Sequence, residues 1–342
     1  MRNKVSRRWT VIFLFIAMLL LVLDTKTAIS AMVDALEICL HTVIPSLFPF
    51  FVVSIMLTGI LYNSASSFLH PLGRLLAIPH ACEGIFIVGL LGGYPVGAKS
   101  IAQTYDAGAL SKEQAARMLG FCCNAGPAFL FGLAGRLFDR SCIPWILWGI
   151  HLLAALIVGI ILPKLPNVTS NHLKPTTVTL PIAVEQAVKT MGYVCGWIVL
   201  FRVIVAFLQR WFLWLLPTES EVIFIGSLEL ANGCIGLNKI VDPGLRFIFC
   251  SLLLGFGGIC VYAQTLSITG KIGTGMYFPG KILQSSISVV FASFAQSFLY
   301  PGSQSNIFLP LIIAVNIFFI FVYAIILRKK QNNCSIFRVV HV

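Results

Sequence analysis

Between Ile143 and Leu162 the chain carries no Asp, Glu, Lys or Arg, and the same holds for residues 40–62, 247–268 and 307–327. A helix crosses the hydrocarbon core of a bilayer with roughly 20 such residues. A transmembrane barrel would instead show strands of about ten residues with alternating polarity. Composition excludes the soluble classes. Only 11% of residues are charged and 58% are hydrophobic, against about 25% charged in soluble domains, so a water-facing surface could not be coated. The chain reads as an all-α polytopic membrane protein of about eight transmembrane helices, with one or two re-entrant or broken helices.

Charge is lopsided, with 24 Lys and Arg against 12 Asp and Glu. Arg2, Lys4, Arg7 and Arg8 precede the first apolar run, and Arg328, Lys329, Lys330 and Arg338 follow the last. The positive-inside rule then predicts that both termini are cytoplasmic. No basic stripe is interleaved with aromatics, which argues against a nucleic-acid partner and leaves the lipid bilayer. The ten cysteines form no Cys-x-x-Cys pair and read as small apolar packing residues. The six histidines are dispersed, without metal-ligand spacing. No metal and no cofactor is expected.

The chain divides into five stretches. Residues 1–27 form an N-terminal anchor around the apolar run 9–23. Residues 28–162 form a first unit, 163–180 a Pro-, Ser- and Thr-bearing cytoplasmic linker, 181–327 a second unit and 328–342 a basic tail. In the first unit, residues 28–41 read as an amphipathic helix, and Pro45 and Pro49 read as a helix break. Ser111 with Gln114 reads as a capping box, and Glu113 is placed to pair with Arg117.

Two local similarities recur in the two units. GGYPVGAKS (92–100) lines up with GGICVYAQT (257–265), and ALEICLHTVIPSLFPFF (35–51) with AVEQAVKTMGYVCGWIV (183–199). With a cytoplasmic N-terminus and a cytoplasmic linker the two copies face opposite ways, which is the inverted-topology repeat of secondary transporters. Such folds hold solute near the midplane, where Gly and Pro interrupt the helices. On that basis the candidate solute-binding residues are Gly92, Gly93, Tyr94, Pro95 and Lys99 around the first break, and Asn124, Gly126 and Pro127 in CNAGP. From the second unit come Glu229, Asn232, Gly257, Gly258 and Gln264. Glu37 and Glu185 are added as paired acids, with the wet face of an entry helix as the competing reading. Lys99, directly after a glycine-rich break, is expected in an interior polar cavity. Glu83 and Arg202 are expected to snorkel to the interface.

No enzyme signature is present. The chain has no Gly-Lys-Ser/Thr phosphate loop, no Gly-x-Ser-x-Gly and no His-Glu-x-x-His, so neither ATP hydrolysis nor hydrolase chemistry is expected.

The string from Gly92 to Gly132, together with HTVIPSLFPFF (41–51) and GFGGICVYAQTLS (255–267), closely resembles the YlbJ-type sporulation integral membrane proteins. That family sits in the Gate, or nucleoside-recognition, group, with spore maturation membrane proteins, concentrative nucleoside transporters and the membrane part of ferrous iron transporters. The resemblance implies a transporter-like fold and a role in spore formation, cortex assembly in particular, in the mother-cell or forespore membrane of an endospore-forming bacterium. It names no solute. Two functional readings follow. One is a secondary transporter or solute-gating protein for a small polar solute, driven by a coupling ion. The other is a non-transporting component of a sporulation membrane complex, acting as a homo-oligomer or with other membrane partners.

Overall fold

The computed structural model describes residues 2–61, 67–80, 82–132, 134–165 and 178–339, and their side chains except at 2–7, 59, 61, 67, 134 and 328–339. Most of the 163–180 linker therefore lies outside the described residues. Among the described residues the secondary structure is entirely helical. Six helices are long and apolar enough to cross a membrane, and residues 8–23 form a shorter apolar one.

Helix α1 (Arg2–Leu23) ends at Asp24, whose carboxylate accepts the Thr27 amide and starts α2 (Thr25–Ile38). One π turn, Cys39–Val43, carries α2 into α3 (Ile44–Leu61). Proline lacks an N–H and crowds the carbonyl four residues back. The widened turn ahead of Pro45 takes up that misfit. The break expected at Pro45 and Pro49 is thus a bulge within one continuous apolar helix, Thr25–Thr58.

The first unit continues with α4 (His70–Leu76), α5 (Gly84–Gly92), α6 (Tyr94–Asp106), α7 (Lys112–Cys122), α8 (Pro127–Gly132) and α9 (Ile143–Ile161). The second comprises α10 (Leu180–Trp211), α11 (Thr218–Leu228), α12 (Leu230–Gly236), α13 (Pro243–Phe256), α14 (Gly258–Thr269), α15 (Tyr277–Leu299) and α16 (Leu309–Val339). Helix α10 runs antiparallel to α2–α3, as the ion pairs Arg210–Asp24 (2.8 Å) and Arg202–Asp34 (2.9 Å) fix. Arg202 is therefore tied to an acid of the entry helix rather than left to snorkel.

Two pairs of short helices fold back on themselves. Helices α5 and α6 turn about Gly93, whose φ of +96° is open to glycine, and a Cβ on Gly89 would lie 3.3 Å from the Gly97 Cα. Helices α11 and α12 turn about Glu229, and a Cβ on Gly233 would lie 2.1 Å from the Gly226 Cα. Helices α13 and α14 differ: they run on through Gly257 as one apolar length, Pro243–Ile272. Residues 123–126 interrupt the path from α7 to α8.

Contacts fix the directions. The Met276 amide donates to Ala116 O at 2.8 Å, and Lys281 reaches Cys123, so α7 and α15 are parallel. Arg117 reaches Gly159, Gln284 reaches His151 and Arg140 reaches Leu299, so α9 is antiparallel to both. Ser251 meets Ser288 and Gly244 meets Gln296, so α13 is antiparallel to α15. Each unit thus reads as hairpin, interrupted helix and long helix, and the two units run in opposite directions.

This corrects one equivalence drawn from the sequence. Gly92-Gly93 turns a hairpin, whereas Gly257-Gly258 kinks a through-going helix. The counterpart of α5–α6 is α11–α12, and the counterpart of α7–α8 is α13–α14. The upstream pair, 35–51 and 183–199, does fall on helices of opposite direction.

The capping box forms: the Gln114 amide donates to Ser111 Oγ (3.1 Å) and the Ser111 amide to Gln114 Oε1 (2.9 Å). The Arg117 guanidinium also reaches carbonyls of other elements. It is buried and donates to Pro163 O (2.7 Å), Leu76 O (2.8 Å) and Gly159 O (2.7 Å). These carbonyls belong to the last turn of α4, the last turn of α9 and the residues just beyond it, where helices leave acceptors unpaired and the dipole is negative. Lysine cannot reproduce this fork. An Arg117→Lys change should cost about 1–3 kcal/mol for each acceptor left dry, read as a fall in the melting temperature of the detergent-purified chain.

Candidate functional site

The two hairpin tips enter from opposite faces and meet inside the bundle. Each rests on the interruption of its own unit. A Cβ on Gly126 would lie 2.9 Å from the Gly93 nitrogen, and one on Gly258 would lie 3.1 Å from Gly226 O and 3.4 Å from the Leu230 nitrogen. Between the tips lies a cavity of about 50 Å³, room for a few waters. Gly93, Tyr94, Pro95 and Gly126 line it from the first unit, and Glu229, Ala231 and Gln264 from the second. Val43, Leu47, Val194 and Ile198 close it with apolar surface.

The charges beside this cavity sit on interrupted helix ends. Glu229 precedes α12, and its carboxylate accepts the amides of Ala231 (3.0 Å) and Asn232 (2.7 Å) and the Asn232 side-chain amide (2.7 Å). An anion at a helix N-terminus is favoured by the unpaired N–H groups and the dipole. Lys281 is the converse. Its side chain is fully buried, and its ammonium donates to Cys123 O, just past the end of α7, and to Gln284 Oε1 (2.5 Å). The same ammonium stands 5.3 Å from the Tyr94 ring centroid and 5.8 Å from that of Tyr277, within cation–π range.

A polar network ties these groups across the two units. Gln284 donates to Asn124 Oδ1 (2.9 Å), and Asn124 donates to Phe121 O (2.8 Å). The Ala125 amide donates to His151 Nε2 (2.9 Å), so that nitrogen carries no proton in this arrangement. Tyr94 donates its hydroxyl proton to Leu254 O. The open backbone of residues 123–126 is thus satisfied by side chains from α9 and α15, as buried polar groups require.

The sequence candidates separate in space. Gly93, Tyr94, Pro95, Gly126, Glu229 and Gln264 line the cavity. Asn124 and Asn232 are buried behind it and hold its walls. Gly92 closes α5, Pro127 opens α8, and Gly257 with Gly258 carries the kink. Lys99 does not line the cavity: it is half-buried farther along α6, in the field of Asp106 and Lys189. Glu37 and Glu185 are exposed on the outer faces of α2 and α10. Glu83, expected at the interface, is buried.

Lys281, Gln284 and His151 are the polar residues that the sequence reading passed over. The charge-free apolar run in this region begins at Ile282, and Lys281 stands just outside it. A Lys followed by a Gln three residues on, behind Pro279-Gly280, was the available signal, because that spacing puts both on one helix face.

A second, open depression of about 770 Å³ lies where α13 begins, among Glu219, Lys239, Asp242 and Ser303. Burial pushes the Asp242 carboxyl up, but hydrogen bonds from Ser303 and the Leu245, Gln304 and Ser305 amides outweigh it and hold the group below its usual range. A depressed carboxyl stabilises the fold above its unfolded pKa, and that contribution is lost as pH falls through the lower folded value. Acid should therefore loosen the 300–306 segment first, and hydrogen exchange of its amides would show it.

No protein-family model matches the chain, and no solved structure does. A curated relative does match: over 311 residues, covering 76% of this chain and 75% of the relative, it is 26% identical to the sporulation integral membrane protein YlbJ of Bacillus subtilis (strain 168). The chain is YlbJ-like. The likeness to YlbJ spans most of both chains rather than one motif, and an integral membrane character agrees with the six apolar crossings.

Proposed function

We propose that this chain is a solute-gating, transporter-like protein of the Gate, or nucleoside-recognition, type that serves spore formation and its cortex from a cell membrane of a sporulating bacterium. Its N-terminus, linker and C-terminus are assigned to the cytoplasm. One observation carries the reading: two short hairpins enter from opposite faces, and their tips close one cavity built by both units. Such an arrangement can expose the cavity to either side by displacing one tip at a time. The cavity is small, about 50 Å³, so the solute is a small polar molecule admitted when a tip withdraws. Coupling falls to an ion or proton, because the sequence carries no nucleotide-binding loop.

Glu229 is the acidic group at the tip of the second hairpin. In liposomes reconstituted with the purified chain, solutes identified by mass spectrometry of co-purified ligand should accumulate. A Glu229→Gln variant should insert normally yet transport at least tenfold more slowly. Absence of uptake by the wild-type chain, for every solute it co-purifies with, would sink the transport reading. The alternative is a non-enzymatic scaffold within a sporulation membrane complex. What favours it is that Glu229 and Lys281 are both already engaged as caps of interrupted helices. A scaffold would co-purify with fixed membrane partners and take up nothing.

A further inference from the structure

We infer a binding site for a divalent transition-metal ion of the zinc type at the outer end of the first hairpin, held by His70, His80 and Glu83. The sequence scatters these residues, and the fold gathers them. His70 opens α4. Ala77 closes that helix in the left-handed region (φ +49°, ψ +47°), where a residue with a Cβ seldom sits. That turn sends the chain back over α4, so that the His80 ring lies 4.9 Å from the His70 ring, edge to face. Glu83 follows directly and precedes the first residue of α5.

The geometry is that of a ligand set. His70 Nδ1 lies 3.0 Å and His80 Nδ1 lies 3.3 Å from the same oxygen, Glu83 Oε1, and the three ligand atoms fall within 4.8 Å of one another. Two ligands on a tetrahedral zinc, with bonds of about 2.0–2.1 Å, stand roughly 3.3 Å apart. Glu83 is 3% exposed. Among the described residues the hydrogen bonds of its carboxylate go to these two imidazoles. A Cβ on Gly73 would lie 2.6 Å from Glu83 Oε1, so the carboxylate is seated against bare backbone and cannot swing away under α4. The imidazoles are partly open to solvent, with 38% and 56% of their side chains exposed, which leaves an entry path and an open fourth position. Two imidazoles and one carboxylate suit zinc and its neighbours and disfavour magnesium and calcium, which take oxygen ligands. A simple hydrogen-bonded His–Glu–His cluster is the competing account, and it predicts no metal uptake.

A bound ion would tie α4 to the start of α5, the arm that carries Gly93 into the cavity. The site itself stands apart from the transport reading and survives its failure. The test uses the full chain without a polyhistidine tag, in a Cys142→Ser background that removes an exposed thiol. After chelator treatment, the protein in detergent is titrated with zinc chloride and, separately, with magnesium chloride and cobalt chloride. One zinc per chain, no magnesium and a tetrahedral cobalt spectrum are expected. His80→Gln, at a ring more than half exposed, should weaken zinc binding at least tenfold with unchanged helicity and elution volume. His70→Gln should do the same. Failure of the wild-type chain to bind zinc, or zinc binding unaffected by both changes, overturns the site.

Discussion

Lys281→Met should leave the chain inserted and abundant while abolishing its function. Among the described residues the buried ammonium has no carboxylate beside it; its partners are Cys123 O, Gln284 Oε1 and two aromatic faces. A charge held this way is costly, and an apolar side chain of similar length removes that cost. Two acceptors lose their donor, at about 1–3 kcal/mol each when dry. These effects oppose one another, so the melting temperature in detergent should move by only a few degrees. Function should fall much further, because the same ammonium fixes residues 123–126, on which the first hairpin tip rests. On the sporulation reading proposed above, heat-resistant spore counts in a Bacillus subtilis strain that lacks YlbJ and is restored by this chain would read it. At least a tenfold drop against wild type, at equal membrane abundance, is expected. Equal spore counts would reduce Lys281 to a structural cap.

Gly280→Ala should be severely destabilising, against the local rule. Within a helix, alanine in place of glycine is worth up to about 1 kcal/mol. Here a Cβ would lie 2.1 Å from Gly120 O, inside any tolerable contact. Overpacking of a tight core typically costs about 1–3 kcal/mol, and a backbone atom cannot yield as a side chain does. Helix α15 would be forced off α7, carrying Lys281 away from Cys123. The variant should fail to accumulate in membranes, whereas Gly192→Ala, with open space at its Cβ, should accumulate normally. Comparable accumulation of the two variants would refute the close crossing.

Much of this architecture was written in hydropathy. The apolar runs, the opposed directions of 35–51 and 183–199, and the glycine interruptions could all be read from residues. The difference between a hairpin tip and a kink could not. Gly93 and Gly257 both adopt positive φ and both precede a buried helix, so composition treats them alike. What separates them is whether the next helix packs back on the last one, a tertiary matter. His70, His80 and Glu83 stayed hidden for a similar reason. Their convergence depends on the turn at Ala77, which no spacing rule announces. Lys99 drew attention because it follows a break in sequence, yet the helix carries it past the cavity.

The arms of the two hairpins have a consequence for how this chain is made. Helices α5 and α6 have 9 and 13 residues, and α11 and α12 have 11 and 7. At about 1.5 Å per residue, none reaches through a hydrocarbon core of roughly 30 Å. The insertion machinery therefore has no full crossing to recognise in either hairpin. Each must wait at the interface while the long helices enter, its tip amides still bonded to water. The first hairpin can then sink only once Gly126 and its neighbours stand ready, and the second only after the kink at Gly257 has formed. Biogenesis is ordered from the long helices inward, and a ribosome-released first half should expose its hairpin to protease until the second half arrives.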